Sequence, residues 1–98
     1  MTTLTLRLIG PSDYVVIDEG HRVGRIRRAA ERINEVWLWN VTVAVPGGGH
    51  GTSTSLDAAK FAFRESWIEF KAEIGPERLA SALELAEAAR ERLRVKGK

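Results

Sequence analysis

The longest β-patterned stretch of the chain is Glu35 to Val45. In an extended strand it places Trp37, Trp39, Val41, Val43 and Val45 on one side and Val36, Leu38, Asn40, Thr42 and Ala44 on the other. The first set is apolar throughout and is assigned to the core, with both Trp rings expected to pack on Phe63, Trp67 and Phe70. Upstream, Thr3 to Ile9 alternates with Leu4, Leu6 and Leu8 on one face, and Gly10-Pro11-Ser12-Asp13 supplies a turn. Tyr14 to Asp18 reads as a short strand, Asp18-Glu19-Gly20 as a tight reversal, and Arg22 to Arg28 as a third strand with Gly24 and Ile26 inward and Arg25 and Arg27 outward. Ala29 to Asn34 is read as a loop.

Pro46 to Ser55, with four Gly residues, reads as a crossover loop without regular structure, mobile and tolerant of shortening by two residues. Thr54 or Ser55 then caps a helix from Leu56 to Ile74. Leu56, Ala59, Phe63, Trp67, Phe70 and Ile74 form one apolar stripe on it, and Phe61, Ile68 and Ala72 a second, which predicts burial over a broad face. Gly75 ends that helix, and Pro76 opens another, running to about Arg94, with Leu79, Ala82, Leu83, Ala86, Ala89 and Leu93 inward. The second helix packs beside the first or reaches out to a second subunit. The last four residues are expected to fray. The pattern predicts one α+β domain over residues 1–98: an antiparallel meander of about four strands (3–45), a Gly-rich loop (46–55) and two helices on one sheet face (56–94).

Composition narrows the class. At 98 residues, 44% apolar and 29% charged, the chain suits one globular domain. No run approaches the roughly 20 apolar residues of a spanning helix, and the first residues lack a secretory pattern, so the expected setting is the cytoplasm without a membrane partner. The absence of Cys excludes disulfides and thiolate metal ligands. The net charge of +2 hides an uneven distribution. Arg22 to Arg32 holds five Arg and one Glu, Arg90 to Lys98 five bases and one Glu, and Glu65 to Glu77 leans acidic, with four Glu and one Lys.

Val23-Gly24-Arg25-Ile26, Trp37-Leu38-Trp39, a Gly-containing loop and Ser55-Leu56-Asp57-Ala58-Ala59-Lys60-Phe61-Ala62-Phe63-Arg64-Glu65-Ser66-Trp67 together resemble a set of short, uncharacterised bacterial proteins. Those share a Gly-Arg-Ile hairpin, a Trp-x-Trp strand and an Ala-Lys-rich helix ending in Trp. The resemblance covers roughly residues 15 to 74 and implies no particular activity. Gly24-Arg25-Ile26 with Ala59 and Phe63 is also similar to the tryptophan–glycine–arginine domain found beside poly(ADP-ribose) polymerase catalytic domains. Here, however, Val23 stands at the position of that motif's Trp, and Arg27-Arg28-Ala29-Ala30 replaces its Gly-rich segment.

Little of the chain suggests catalysis. The Gly loop has no Lys before its Ser/Thr and does not complete a dinucleotide fingerprint. His50, Ser53 and Asp57 are the residue types of a nucleophile triad, but only a fold can assemble one. His21 and His50, the only His residues, offer a metal two imidazoles at best. The expectation is a non-enzymatic interaction module without cofactor or metal that self-associates or docks on a protein partner, with Val36 and Leu38 as interface candidates. The alternative is nucleic-acid binding through Arg22, Arg25, Arg27, Arg28 and Arg32, whose guanidinium groups suit phosphates.

Overall fold

In the computed structural model the chain runs β1 (Leu4–Gly10), β2 (Asp13–Asp18), β3 (His21–Arg28), β4 (Trp37–Val41), β5 (His50–Ser53), α1 (Leu56–Ile74) and α2 (Pro76–Lys96). The structure describes residues 4–29, 35–43, 45 and 47–96, with side chains as far as residue 92. The loop expected over Ala29 to Asn34 therefore lies, beyond Ala29 itself, outside the described residues.

Two short turns build the N-terminal half. Pro11 and Ser12 (φ 52°) close the β1–β2 hairpin; Glu19 (φ 50°) and Gly20 (φ 82°) close β2–β3, both left-handed as a type I′ turn requires. The strands pair antiparallel in the order β1-β2-β3-β4-β5. A bulge sets Val16 against Gly24 and Ile17 against Arg22, which leaves Val23 as the extra residue. Val23 and Gly24 are consequently both buried. A second irregularity leaves Ile9 between Leu8 and Gly10.

One inner sheet face and one helix make the core: Val16, Val23, Ile26, Trp37, Val43, Ala59, Phe63, Trp67, Phe70 and Ala82 are buried together. Ser55 caps α1, its side chain accepting from the Ala58 N–H at 3.1 Å, and Gly75 (φ 81°) ends it. Phe63 lies directly on Gly24. A Cβ at residue 24 would stand 2.1 Å from the Phe63 ring and 2.8 Å from the Asn40 carbonyl oxygen, so the backbone must be bare there.

The architecture is α+β as the pattern predicts, with four departures. The sheet has five strands, because part of the Gly-rich loop pairs with β4 as β5. Gly51 sits opposite Trp39, and a Cβ there would come within 2.9 Å of the indole, so this stretch is a packing floor and not a dispensable connector. The central strand ends at Val41, short of Val45. Trp37 is buried, but Trp39 is half-buried and meets Phe63 edge-on at 6.2 Å between ring centres. Finally, Phe61 (67% exposed), Ile68 (40%) and Ala72 face solvent. At 100° per residue they stand about 140–180° around the helix from Phe63, and one sheet cannot cover both sides.

The second helix docks through its first turns. Leu79 and Leu83 are half-buried and Ala82 is buried, but Ala86 and Leu85 (71%) are exposed. The radius of gyration is 14.2 Å, against about 12.6 Å for a compact chain of this length. Among the described residues no helix is long and apolar enough to cross a membrane.

Gly24→Ala should destabilise the domain by about 1–3 kcal/mol through overpacking against Phe63. Chemical denaturation checks this, and the same change at Gly10, where the nearest atom is 3.8 Å away, should cost less.

Candidate interaction surfaces

The sheet face turned away from α1 is read from register. Arg7, Val15, Arg25, Asn40 and His50 form one row across all five strands; Asp13, Arg27, Leu38 and Thr52 form the next. Asp13 is the one carboxylate in these rows. Val15 is buried although it faces outward, between Arg7 and Arg25 in register, whose long stems can shelter it.

Of the five Arg singled out in the sequence, the fold therefore unites Arg25 and Arg27 and adds Arg7 and His50 to them. Arg22, opposite Ile17 past the bulge, lines a cleft of about 430 Å³ with Glu87, Arg90 and Glu91 of α2. Arg28 ends β3 opposite Trp37, and Arg32 lies outside the described residues. Leu38 sits half-buried among the outer-face rows, and Val36 is half-buried just before β4, its carbonyl accepting from the Ala29 N–H.

Arg25 is not a free fork. Its Nε and Nη2 donate to the two carboxylate oxygens of Asp13 at 2.9 and 2.6 Å, a bidentate pair across the β2–β3 hairpin. That hydrogen bond, with the charges of Arg25 and Arg27, holds the Asp13 carboxyl below the ordinary aspartate value against the opposing effect of burial, and raises the Arg25 guanidinium in turn.

A second charged group is fully inside. Asp18, 6% exposed at the end of β2, accepts from the Trp67 indole N–H at 2.8 Å and from Lys71 Nζ at 3.1 Å. The Lys71 ammonium also lies over the Trp67 ring, 5.6 Å from its centre. In the sequence Asp18 reads as an ordinary turn residue, because its partners stand 49 and 53 residues away. Beside this group a cleft of about 290 Å³ separates α2 from the hairpin, lined by His21, Leu79, Leu83 and Glu84 among others. His21 Nδ1 pairs with Glu87 of α2.

The residue types of catalysis are dispersed. His50 points to the outer sheet face, Ser53 belongs to the inner parity, and the Asp57 side chain is 95% exposed beside Lys60. His21 and His50 stand on different strands, and among the described residues no three potential ligands gather. Exposed apolar bulk lies in two further places: Phe61 and Ile68 on α1, and Leu8 (61%) with Ile9 (49%) on β1.

The Asp13–Arg25 pair gives a signed pH expectation. Because the folded-state pKa of Asp13 is lowered, its contribution is complete above the unfolded value of about 3.9 and is lost as the pH falls through the folded value. The pair is partly exposed, so the stability gap between wild type and Asp13→Asn should be at most about 1 kcal/mol at pH 7 and should close in acid. Denaturation curves from pH 7 to pH 2 check this. No family model matches the chain, and no match to it was found among the curated proteins or the solved structures.

Proposed function

We propose that this chain is a small, non-enzymatic interaction module that associates with a second protein surface, either its own or a partner's. The observation that carries this reading is large apolar side chains left outside a core that closes without them. Phe61, Ile68 and Leu85 are 67%, 40% and 71% exposed, while Phe63, Trp67 and Phe70 already fill the inner face of α1. Phe61 and Ile68, seven residues apart, stand on one side of α1, and apolar groups gathered on one surface are a mark of docking. Within this reading the setting is a bacterial cytoplasm, the expectation carried by the resemblance and the Cys-free sequence.

A second reading has its own observation. The outer sheet face holds Arg7, Arg25, Arg27 and His50 against Asp13, a basic surface suited to the phosphates of a nucleic acid. The engagement of Arg25 by Asp13 weighs against it, since the most central guanidinium is already paired.

Fluorescence-detected sedimentation of the labelled chain in concentrated bacterial extract separates the two. The interaction reading expects a species heavier than the 10.9 kDa monomer that survives nuclease and is lost on replacing both Phe61 and Ile68 with Ser. Those exposed changes should move folding stability by under about 0.5 kcal/mol. A heavy species that nuclease or high salt dissolves, and that Arg25→Ala with Arg27→Ala removes, would favour nucleic acid. Sedimentation as a monomer throughout would contradict both.

A further inference from the structure

Among the described residues the outer edge of β1 is open and has the shape of a self-complementary seam, and we infer that a second copy of this chain pairs with it antiparallel, with the two-fold axis at Leu6. It goes beyond the interaction reading, because the seam lies on β1, apart from Phe61 and Ile68 on α1. Of the sheet's two edges, β5 offers four residues, His-Gly-Thr-Ser, with no large apolar side chain. The β1 edge offers seven, Leu4 to Gly10, with Leu8 and Ile9 exposed. Helix α1 lies over β3, β4 and β5, so the leucines on the inner face of β1 lie beyond its cover, Leu4 and Leu6 only half-buried.

Backbone direction fixes the register. A two-residue turn makes Asp18 and His21 a hydrogen-bonded pair, so the backbone groups of Asp18 point toward β3. Alternation along β2 then turns those of Ile17 and Val15 toward Thr5 and Arg7, their partners in register. Leu4, Leu6 and Leu8 are left with N–H and C=O groups directed at the open edge and side chains on the inner face. Only registers that oppose these three residues to one another use the edge fully.

Pairing about Leu6 sets Leu6 against Leu6 of the second copy and Leu4 against Leu8, hydrogen-bonded pairs throughout. On the outer face it sets Arg7 against Thr5. Pairing about Arg7 would face two guanidinium groups across a narrow non-hydrogen-bonded pair, and pairing about Thr5 would set Leu8 beyond Leu4, the first described residue of the other copy. The Leu6 register thus matches backbone, apolar and charge patterns together. A seam of this size makes a weak dimer that assembles with concentration.

The test is sedimentation velocity from about 1 μM to about 1 mM, with the register read from position 5. Thr5 is exposed, so Thr5→Glu and Thr5→Arg should both fold, as circular dichroism would verify. In the proposed register the carboxylate that Thr5→Glu introduces faces Arg7 of the other copy twice, and the dimer should tighten roughly 2- to 30-fold. Thr5→Arg should weaken it comparably, and Leu8→Lys should leave monomer. Amide exchange at Leu4, Leu6 and Leu8 should slow as concentration rises, with Thr5 and Arg7 protected at every concentration. A chain that stays monomeric, in wild type and in Thr5→Glu alike, overturns the proposal. So does a dimer indifferent to position 5 but abolished by Phe61→Ser with Ile68→Ser, an outcome that leaves the broader interaction reading standing.

Discussion

The carboxylate of Asp18 is buried, and a buried charge must be met by hydrogen bonds or it unfolds what surrounds it. Trp67 and Lys71, one helical turn apart on α1, meet it together. That requirement fixes both the rotation of α1 and its position along the sheet. With Trp67 placed at the end of β2, Phe63 falls one turn back onto Gly24, and Phe70 comes to lie 5.8 Å from the Trp67 ring. Each of these aromatic side chains buries about 150–250 Å², the largest apolar payload in the domain. The polar contact sets where that payload goes; the apolar burial supplies most of the energy.

From this placement the free surfaces follow. Five strands about 4.8 Å apart span roughly 19 Å, and one helix about 10 Å across cannot cover them. Helix α1 is drawn over β3, β4 and β5 by its aromatic contacts, and α2 leaves the core after Leu83 to stand beside the hairpin, held by the His21–Glu87 pair. The outer sheet face, the β1 edge and the far side of α1 are what remains. The proposed roles of this domain all draw on these three surfaces, because the inner face is consumed by folding.

How much of this was legible depended on the range of the chemistry involved. The caps of α1 are local, and Ser55, Gly75 and Pro76 announce them within a few residues. The facing of β3 follows from alternation, so Gly24 and Ile26 inward with Arg25 and Arg27 outward could be read directly. β5 could not: His-Gly-Thr-Ser has no apolar alternation, and it is a strand because β4 needs a partner and Trp39 needs a bare residue opposite it. The outward stripe of Phe61, Ile68 and Ala72 looked like a second core face because sequence periodicity cannot say how many layers flank a helix. The Arg cluster was half legible. Arg22 lies past the bulge at Val23, in a cleft against α2, and a hairpin diagonal gave Arg25 its carboxylate.

The claim that the Asp18–Trp67 hydrogen bond organises the docking of α1 is tested most directly by a double-mutant cycle in chemical denaturation. Trp67→Phe keeps an aromatic ring but removes the donor, and Asp18→Ala removes the acceptor. The two sites should couple by about 1–3 kcal/mol, the double mutant being less destabilised than the sum of the singles. Additivity within about 0.5 kcal/mol would mean that apolar packing alone sets the helix, and would contradict this account.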